Sequence, residues 1–553
     1  MLSTDKYNCR LVAAALVRYG VRRAVVSPGS RNAPLIVALA RRREIQLNEV
    51  IDERSAAFVA LGIAVQTGRP VAVVCTSGSA VLNLAPALAE AYYRQIPLIA
   101  DTAARPEEWI DQDDSQTIRQ PGALAAVTKA TFHLPVTRGD AGLERLCRRR
   151  VADAMMMAVS DPCGPVHVNV GIDEPINAMG DDSADDFRLP DFVPTVRRLP
   201  EATARELAIE MNSARQVLVV AGFRSPEQNL KEALSMLPGN VAVISELQSN
   251  LGQGIPANID AMMRMPESEA LLNPDIVITI GGALLSRMIK ASMRSAKKSM
   301  RHWRVSTVDH CLDTMLHLDR RIDCAPTEFF ASLLPYLEDN NSCYAAEWQN
   351  LSERAGNITQ TYAESAPWSD FRAMNRLMRG VPSGTSLHLS NGTVARYAQL
   401  TGCPGAIRTE CNRGVSGIDG CTSTAIGAAM ATDELTLLVT GDMSAPYDMG
   451  ALAIQEVPAT FRMAVLNNGG GGIFRFIKST RDLPETDRWL AGGVRLPLRE
   501  LAAGFGFDYY EAADEASLSS VMPAFFAPSG RPAILNIITP PDASAETIKR
   551  YFA

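Results

Sequence analysis

Two polar residues that follow apolar runs in the last third of the chain could bind a metal ion together. Asp442 follows LTLLVTG and Asn468 follows FRMAVLN, and the two lie 26 residues apart, which accommodates one strand–helix–strand crossover. Both side chains can then reach one point. A carboxylate, an amide oxygen and a free backbone carbonyl are the hard oxygen ligands that Mg²⁺ prefers, with phosphate oxygens completing the octahedron. The spacing therefore predicts a metal–diphosphate site.

Four consecutive glycines, at 469–472, follow the second of these runs. Glycine loses more entropy on folding than any other residue, so such a run indicates that something approaches the backbone closely. We expect the third protein ligand of the metal to be a backbone carbonyl of this run, assigned to Gly470. Gly441, Ser444 and Ala445, at the start of the next predicted helix, are expected to offer N–H groups to the phosphates.

Each of these motifs alone is weak evidence. An aspartate after a strand is often a helix cap, and asparagine suits turns of many kinds. The pairing of the two at crossover spacing, with glycines directly after the second, favours the metal–diphosphate site over these ordinary roles.

The elements that would position these residues repeat along the chain. Short β-branched runs each end in a Gly, Ser, Asn or Asp turn and are followed by an Ala/Leu-rich helical stretch. Continuous apolar strands that alternate with helices are typical of parallel sheets covered on both faces, and such sheets bind ligands beyond the carboxyl ends of their strands. The predicted fold class is therefore α/β. The runs lie at 22–30, 71–79, 97–106, 216–223, 275–283, 385–392, 435–442, 461–468 and 532–538.

Two polar, proline-containing segments interrupt this alternation, at 179–201 and at 337–370. They divide the chain into three predicted domains, each an open, mainly parallel sheet flanked by helices. The predicted domains are 1–182, a central α/β domain at 195–338, and 366–553.

The composition restricts the class of protein. With 47% apolar residues, 21% charged residues and a net charge of −7, the chain has no basic footprint for nucleic acid. No run of about 18 apolar residues could span a bilayer, and the start MLSTDKYNCR lacks a signal-peptide pattern, so a cytoplasmic protein is expected. Ten cysteines without a CxxC pair and six histidines without a cluster indicate neither a disulfide framework nor a zinc site.

A glutamate in the first predicted domain connects the metal–diphosphate motif with a known family. The order GD, a gap of this size and then NN resembles the cofactor-binding motif of thiamine diphosphate enzymes, and Glu53 lies in a family-like stretch at 48–70. Taken alone, Glu53 would be a first-turn residue favoured by the helix dipole. The resemblance implies instead that it is catalytic, because its carboxyl group hydrogen-bonds the aminopyrimidine ring and helps to activate the cofactor. It also implies thiamine diphosphate and Mg²⁺ or Mn²⁺ as cofactors.

The same resemblance extends to the architecture. It implies a thiamine diphosphate-binding fold in the first and third domains, which would bind the pyrimidine and the diphosphate, and a central domain without cofactor. It assigns Ser390 and Asn391 to cofactor binding and Ile418 as the apolar wedge that bends the cofactor. Members of the family bind the cofactor between the first domain of one subunit and the third domain of another. A homodimer or homotetramer with the cofactor at the subunit interface is therefore expected.

Seven stretches resemble one branch of this family, the menaquinone-biosynthesis synthases that use isochorismate. These transferases decarboxylate 2-oxoglutarate and add the resulting succinyl-semialdehyde carbanion equivalent to isochorismate in a 1,4 sense, with release of CO₂. SPGSRNAPL, IRQPG and NRGVSGIDG are the most specific matches. The stretches lie at 27–35, 52–64, 76–91, 102–108, 115–122, 412–420 and 441–452.

Both expected substrates are dicarboxylates, so their site needs several fixed positive charges. Planar guanidinium groups bind carboxylates in bidentate fashion. Arginines at the sheet-end turns of the branch-like stretches favour acid recognition, although a single surface arginine would need no such explanation. The expected acid-binding arginines are Arg31, Arg105, Arg287, Arg396 and Arg413.

The branch also implies substrate contacts that are not charged. Ser30 and Gln116 are expected to hydrogen-bond the isochorismate-derived part of the substrate. Ile473 and Phe474 are expected to form an apolar wall, for which plain core packing is an alternative explanation. Three positions depart from the branch pattern: Gly392 replaces an expected serine, Arg287 replaces a lysine, and Ser115 replaces the asparagine of some members.

Other functions compete with this interpretation. Another thiamine diphosphate-dependent 2-oxoacid decarboxylase or carboligase would share Glu53, Asp442 and Asn468 but would not need the arginines. An acetolactate synthase-like enzyme would be favoured by an FAD motif in the central domain, where VVAGFRSPEQN lacks the spaced glycines of a dinucleotide loop. A nicotinamide-dependent oxidoreductase would need GxGxxG directly after a strand, and GGGGIF does not fit that pattern. The intact cofactor motif argues against a non-catalytic binding module.

Overall fold

Three parallel sheets flanked by helices build the chain in the computed structural model, which confirms the predicted fold class. The structure describes residues 2–182, 185–297, 299–493 and 496–553. Contacts within the chain define two compact units. The first unit comprises the chain up to Pro194 with Gly414–Asp433 and Tyr447–Pro458, and the second comprises Thr195–Arg413, Glu434–Pro446 and Ala459–Ala553.

The described part of the first unit contains eight strands, and six of them form one parallel sheet. The eight strands are β1 (Leu2–Thr4), β2 (Arg23–Val26), β3 (Gln46–Glu49), β4 (Val71–Cys75), β5 (Leu98–Ala104), β6 (Thr131–Leu134), β7 (Val166–Gly171) and β8 (Met179–Asp181). The sheet order is β3-β2-β4-β5-β7-β6, whereas β1 and β8 form a separate antiparallel pair. Both β4 and β5 are buried at every position, as expected for strands that helices cover on both faces.

Six helices of the first unit precede residue 160. They are α1 (Tyr7–Arg18), α2 (Ala33–Ala40), α3 (Glu53–Thr67), α4 (Ser79–Asn83), α5 (Ala85–Arg94) and α6 (Ala141–Val159). The alanine-rich α3 is buried from Ser55 to Val65. A Cβ atom on Gly62 would lie 2.0 Å from the carbonyl oxygen of Thr424, so only glycine permits this approach to the later segment Gly414–Asp433 of the same unit.

The second unit begins with the central sheet. Its strands are β9 (Val217–Ala221), β10 (Val241–Ser245), β11 (Ile276–Ile280), β12 (Arg301–Val305) and β13 (Leu318–Ile322), in the parallel order β10-β9-β11-β12-β13. The helices are α7 (Glu201–Ser213), α8 (Gln228–Ser235), α9 (Ile259–Met263), α10 (Ser268–Leu271), α11 (Arg287–Arg294), α12 (Pro326–Leu333) and the long α13 (Tyr344–Ser365).

A second parallel sheet completes the second unit. Its strands are β14 (Thr385–Leu389), β15 (Ala406–Cys411), β16 (Thr436–Gly441), β17 (Phe461–Asn467), β18 (Asp508–Ala512) and β19 (Ala533–Ile538), in the order β15-β14-β16-β17-β19-β18. The remaining helices are α14 (Asp370–Arg379), α15 (Thr393–Thr401), α16 (Cys421–Ala429), α17 (Ser444–Tyr447), α18 (Leu498–Phe505), α19 (Glu515–Phe526) and α20 (Pro541–Tyr551), of which α16 belongs to the first unit.

All nine predicted runs contain strands, but several strands lie outside them. The strands β12 (RHWRV), β13 (LDRRI) and β18 (DYYEA) carry charged side chains within short elements. A search for continuous apolar runs therefore passes over them. None of the helices that the structure describes is long and apolar enough to cross a membrane.

Candidate active site

The adjacent ends of β16 and β17 bring the predicted metal ligands to one edge of the last sheet. The two strands pair in parallel with Gly441 opposite Leu466, so Asp442 and Asn468 follow at the same edge. The backbone N–H of Gly470 donates to Asp442 Oδ2 at 2.8 Å. The connection between the strands differs from the expected strand–helix–strand unit, because it contains only the four-residue α17 and one 3₁₀ turn.

The amide of Asn468 is held in a defined orientation. Its Nδ2 donates to Asp370 Oδ2 at 2.7 Å, and Asp370 begins α14. The other end of the amide, Oδ1, is buried and accepts no hydrogen bond from the residues that the structure describes. A buried carbonyl oxygen without a donor costs about 1–3 kcal/mol, and a cation would satisfy it. This oxygen fits the ligand set of a hard metal ion.

The electrostatics of Asp442 also fit a cation. Only 2% of Asp442 is exposed, and burial raises the pKa of its carboxyl group to about 6, although N–H donation from Gly470 acts in the opposite direction. Asp370, which is fully buried, also has a raised pKa because of desolvation. A bound cation would reverse this cost by stabilising the ionised form of Asp442.

The glycine run has a structural reason that the sequence did not indicate. Gly470 has a φ of +154°, and a Cβ atom there would lie 2.2 Å from the carbonyl oxygen of Ala491 and 2.1 Å from that of Gly492. The close approach at Gly470 is therefore to the chain's own backbone. The carbonyl oxygen of Gly470 accepts the N–H of Gly472 at 2.9 Å, and its second lone pair leaves room for a metal.

The residues expected near the diphosphate lie at the ends of β14 and β16. Ser444 and Ala445 are buried at the start of α17. Ser390 and Asn391 are buried directly after β14. Gly392, which departs from the branch pattern, has a φ of +100° as the N-cap of α15, a region that disfavours a side chain.

In the first unit, Glu53 is the first residue of α3. The preceding Asp52 caps the helix by accepting the N–H groups of Arg54 at 2.9 Å and Ser55 at 3.3 Å. The Nδ2 of Asn83 donates to Glu53 Oε2 at 3.2 Å. The sequence does not single out Asn83, the last residue of α4, or Asp370, the first residue of α14, because a lone Asn or Asp at a helix end carries no signal of its own. Ile418 lies half-buried in the segment Gly414–Asp433.

Two of the expected acid-binding arginines in the first unit have carboxylate partners. Arg31 is buried, pairs with Glu174 at 2.7 Å and donates to the carbonyl oxygen of Ile172 at 3.2 Å. Arg105 pairs with Asp114 at 2.7 Å. A substrate acid would have to replace or join these partners.

The uncharged residues that are expected to contact substrate are more exposed than Arg31. Ser30 and Gln116 are exposed, and Gln116 has a φ of +53°. Ile473 and Phe474 are half-buried in a 3₁₀ turn at Gly472–Arg475, directly after the glycine run. Half-burial fits both a wall facing a ligand and the edge of a packed core.

In the second unit, Arg287, Arg396 and Arg413 lie close enough to affect one another. Burial lowers the pKa of Arg396, and the charges of Arg287 and Arg413 lower it further. Arg413 Nη1 donates to Asn391 Oδ1 at 3.0 Å. Its Nε is buried and has no hydrogen-bond partner within the described part of the chain. The cluster therefore holds a buried donor that an anionic ligand could satisfy.

Comparison with known proteins agrees with this geometry. A family model described as "Thiamine pyrophosphate enzyme, N-terminal TPP binding domain" matches residues 9–123, and one described as "Middle domain of thiamine pyrophosphate" matches residues 195–389. The fold and these matches define a thiamine pyrophosphate enzyme, which confirms the resemblance found in the sequence.

Curated relatives identify the branch. Proteins of Porphyromonas gingivalis (36% identical, 99% of this chain and 97% of that protein), Flavobacterium psychrophilum (34%, 96% and 96%) and Bacteroides fragilis (33%, 99% and 99%) are each named 2-succinyl-5-enolpyruvyl-6-hydroxy-3-cyclohexene-1-carboxylate synthase. The chain belongs to this family of synthases.

Proposed function

We propose that the protein joins decarboxylated 2-oxoglutarate to isochorismate in menaquinone biosynthesis, with thiamine diphosphate and Mg²⁺ or Mn²⁺ bound. The observation that carries this proposal is the cationic cluster of Arg287, Arg396 and Arg413, in which Arg413 Nε is buried without a partner in the described chain, because an enzyme without acidic substrates of this kind would not need it. The buried oxygen ligands at the ends of β16 and β17, with Asn468 Oδ1 unpaired among the described residues, support the cofactor site. Asp442, Asn468 and Gly470 would hold the metal, and the metal would hold the diphosphate. When bound, thiamine diphosphate supplies the electron sink for decarboxylation and carbon–carbon bond formation.

The protein's own side chains would orient the metal ligand and the cofactor and would exchange a proton with the aminopyrimidine ring. Asp370 accepts a hydrogen bond from Asn468 Nδ2, so that Oδ1 of that amide would remain for the metal. The carboxyl group of Glu53 would hold or move a proton at the aminopyrimidine ring. Asn83 donates to Glu53 Oε2, which leaves Oε1 for the ring. Each contact fixes an orientation that the reaction needs before substrate arrives.

The substrates would be recognised by charge. Each is a dicarboxylate, and the half-buried Arg396 and Arg413 form a cationic cluster with the exposed Arg287 in the second unit. In the first unit, Arg31, Arg105, Ser30 and Gln116 remain the residues expected to bind substrate. Arginine suits this role because its fork matches the geometry of a carboxylate.

Several further expectations are part of the proposal. They are domains at 1–182, 195–338 and 366–553, a homodimer or homotetramer with the cofactor at the subunit interface, and a cytoplasmic location. Light scattering of the purified protein tests the assembly. A dimer or tetramer supports the expectation, and a monomer at assay concentration contradicts it.

The reaction is tested by following isochorismate absorbance with purified protein, thiamine diphosphate and Mg²⁺. We expect isochorismate to disappear only when 2-oxoglutarate, cofactor and metal are all present, with one CO₂ released per isochorismate. Pyruvate replaces 2-oxoglutarate in the matched control. Turnover of pyruvate without isochorismate would contradict the proposal and indicate a different 2-oxoacid decarboxylase or carboligase.

A further inference from the structure

A lysine outside the expected acid-binding set belongs to the cationic cluster of the second unit. Lys290 lies on α11 one turn after Arg287, so the two side chains share a face of the helix. Burial lowers its pKa most, the negative charge of Glu246 acts in the opposite direction, and the positive charges of Arg413, Arg294 and Arg287 lower it further. Lys290 is therefore close enough to these arginines to share their electrostatic field.

Buried carboxylates fix the start of α11. Glu246 Oε2 accepts the N–H of Leu285 at 2.9 Å, and Oε1 accepts the N–H of Ser286 at 2.7 Å. The hydroxyl of Ser286 donates to Asp260, and Ser286 Oγ also caps the helix by accepting the N–H of Ile289 at 3.2 Å. The helix that carries Lys290 is thus held in place at its first turn.

Lys290 itself is oriented but not saturated. Its Nζ donates to the carbonyl oxygen of Leu284 at 3.0 Å. An ammonium group has three donors, so two N–H groups are available after this bond. Among the residues that the structure describes, none of the four cations Arg287, Lys290, Arg396 and Arg413 takes part in an ion pair.

The charges of the cluster do not balance. Four cations face two acids, Glu246 and Asp260, and burial raises the pKa of both, in Glu246 to about 7. Both carboxylates already accept hydrogen bonds from the loop that precedes α11. The cations therefore outnumber the acids by at least two charges, and this excess is unfavourable around the half-buried Lys290, Arg396 and Arg413 unless an anion joins it. A dianion would balance the cluster.

The orphan donor on Arg413 gives a second, independent sign of a ligand. Its Nε is buried without a partner in the described part of the chain, and such a donor costs free energy until a ligand accepts its hydrogen bond. We propose that Lys290 binds a carboxylate of the dicarboxylate substrate together with Arg287, Arg396 and Arg413. This inference rests on the proposed function for the identity of the acid.

Binding measured without turnover tests this role. Calorimetric titration of the protein, loaded with thiamine diphosphate and Mg²⁺, uses glutarate as the unreactive dicarboxylate and butyrate as the monoacid control. Lys290→Met keeps the length of the side chain and removes the charge, and Lys290→Arg restores the charge. The matched control is Lys297→Met, since Lys297 pairs with Asp275 at 3.2 Å at the surface.

We expect Lys290→Met to weaken glutarate binding at least about tenfold, the effect of losing one charge-assisted hydrogen bond. Lys290→Arg should bind within about threefold of the wild type, and Lys297→Met should be unchanged. The KM for 2-oxoglutarate should rise in Lys290→Met while cofactor affinity and the melting temperature stay constant. A merely structural residue would not separate these readouts.

Three results would overturn the inference. They are unchanged glutarate binding in Lys290→Met, no glutarate binding by the wild-type protein, and a loss that also affects cofactor binding and is not restored by arginine. The test is separate from the reaction. If Lys290→Met weakens glutarate binding but the wild-type protein does not consume isochorismate, the acid site is supported and the proposed reaction is contradicted. If the wild-type protein turns over normally and Lys290→Met binds glutarate as tightly as the wild type, the proposed reaction is supported and the role of Lys290 is contradicted.

Discussion

Metal binding should weaken as the pH falls through about 6, and Asp442 is the reason. Burial raises the pKa of its carboxyl group from 3.8 to about 6 when no cation is bound. The metal binds the ionised form, so a proton competes with it below this pKa. Because the pKa is raised to about 6, the affinity that Asp442 contributes is nearly complete at pH 7, is halved near pH 6 and falls by up to about tenfold for each further pH unit below that.

The size of the effect follows from the pKa. When one proton competes with the metal, the apparent metal affinity is divided by the factor 1 + 10^(pKa − pH). With a pKa of about 6 this factor is close to one at pH 7 and about ten at pH 5. An aspartate with an ordinary pKa of about 3.9 would lose almost nothing over this interval. The expected tenfold loss corresponds to about 1.4 kcal/mol.

The assay is a titration with Mn²⁺ followed by electron paramagnetic resonance, at pH 7 and pH 5, with thiamine diphosphate present. The matched variant is Asp442→Asn, which keeps the size of the side chain and can still accept the N–H of Gly470, bonded at 2.8 Å in the wild type. The cofactor's own phosphate titration is common to both proteins. We expect the variant to bind Mn²⁺ more weakly and to lack the additional tenfold pH effect. Equal pH dependence in the two proteins would refute the reasoning.

Three further changes test other parts of the structure. Glu53→Gln should retain cofactor binding, measured by calorimetry, and lose at least about 10²-fold in turnover; near-normal turnover would contradict the role of Glu53. Gly470→Ala should lower both the melting temperature and the Mn²⁺ affinity, since the Cβ atom of the alanine would lie 2.1 Å from the carbonyl oxygen of Gly492. An unchanged melting temperature would contradict this, because it would show that the loop accommodates the methyl group without loss of stability. The side chain of Asp101 is fully buried and has no hydrogen-bond partner in the described chain, and burial raises its pKa. Ionised Asp101 therefore lowers the free energy of unfolding at pH values above its pKa in the unfolded chain, and this cost disappears at lower pH, where the carboxyl group is protonated in both states. Asp101→Asn should therefore raise the free energy of unfolding in urea at pH 7 but not near pH 3, and an equal change at both pH values would contradict this.

The positions of Asp442 and Asn468 are predictable because local chemistry and topology agree there. Both β16 and β17 are mostly apolar, apart from the threonines of β16 and Arg462 in β17, and each is followed by a polar residue of the candidate site. Parallel strands carry such residues to one edge of the sheet. The orientation of Asn468 is not predictable in this way, because it depends on Asp370, almost 100 residues earlier in the chain.

At the glycine run, the sequence predicts a close approach to the backbone but does not indicate which segment of the chain makes one. The sequence indicates that something lies near Gly470, and the structure finds the backbone of Ala491 and Gly492 there. Nothing in a single sequence pairs two loops that have no periodic pattern. The same limit applies to Lys290, whose place among the arginines depends on how α11 packs.

The central claim, that this protein joins a decarboxylated 2-oxo acid to isochorismate, is tested most directly by the fate of labelled carbon. Purified protein with thiamine diphosphate, Mg²⁺ and isochorismate is given 2-oxoglutarate labelled with ¹³C at C1 or at C2, and the products are analysed by mass spectrometry. We predict that the C1 label leaves as CO₂ and that the C2 label appears in a product containing the isochorismate skeleton. Release of labelled CO₂ while isochorismate stays unchanged, or no consumption of 2-oxoglutarate at all, would contradict the account.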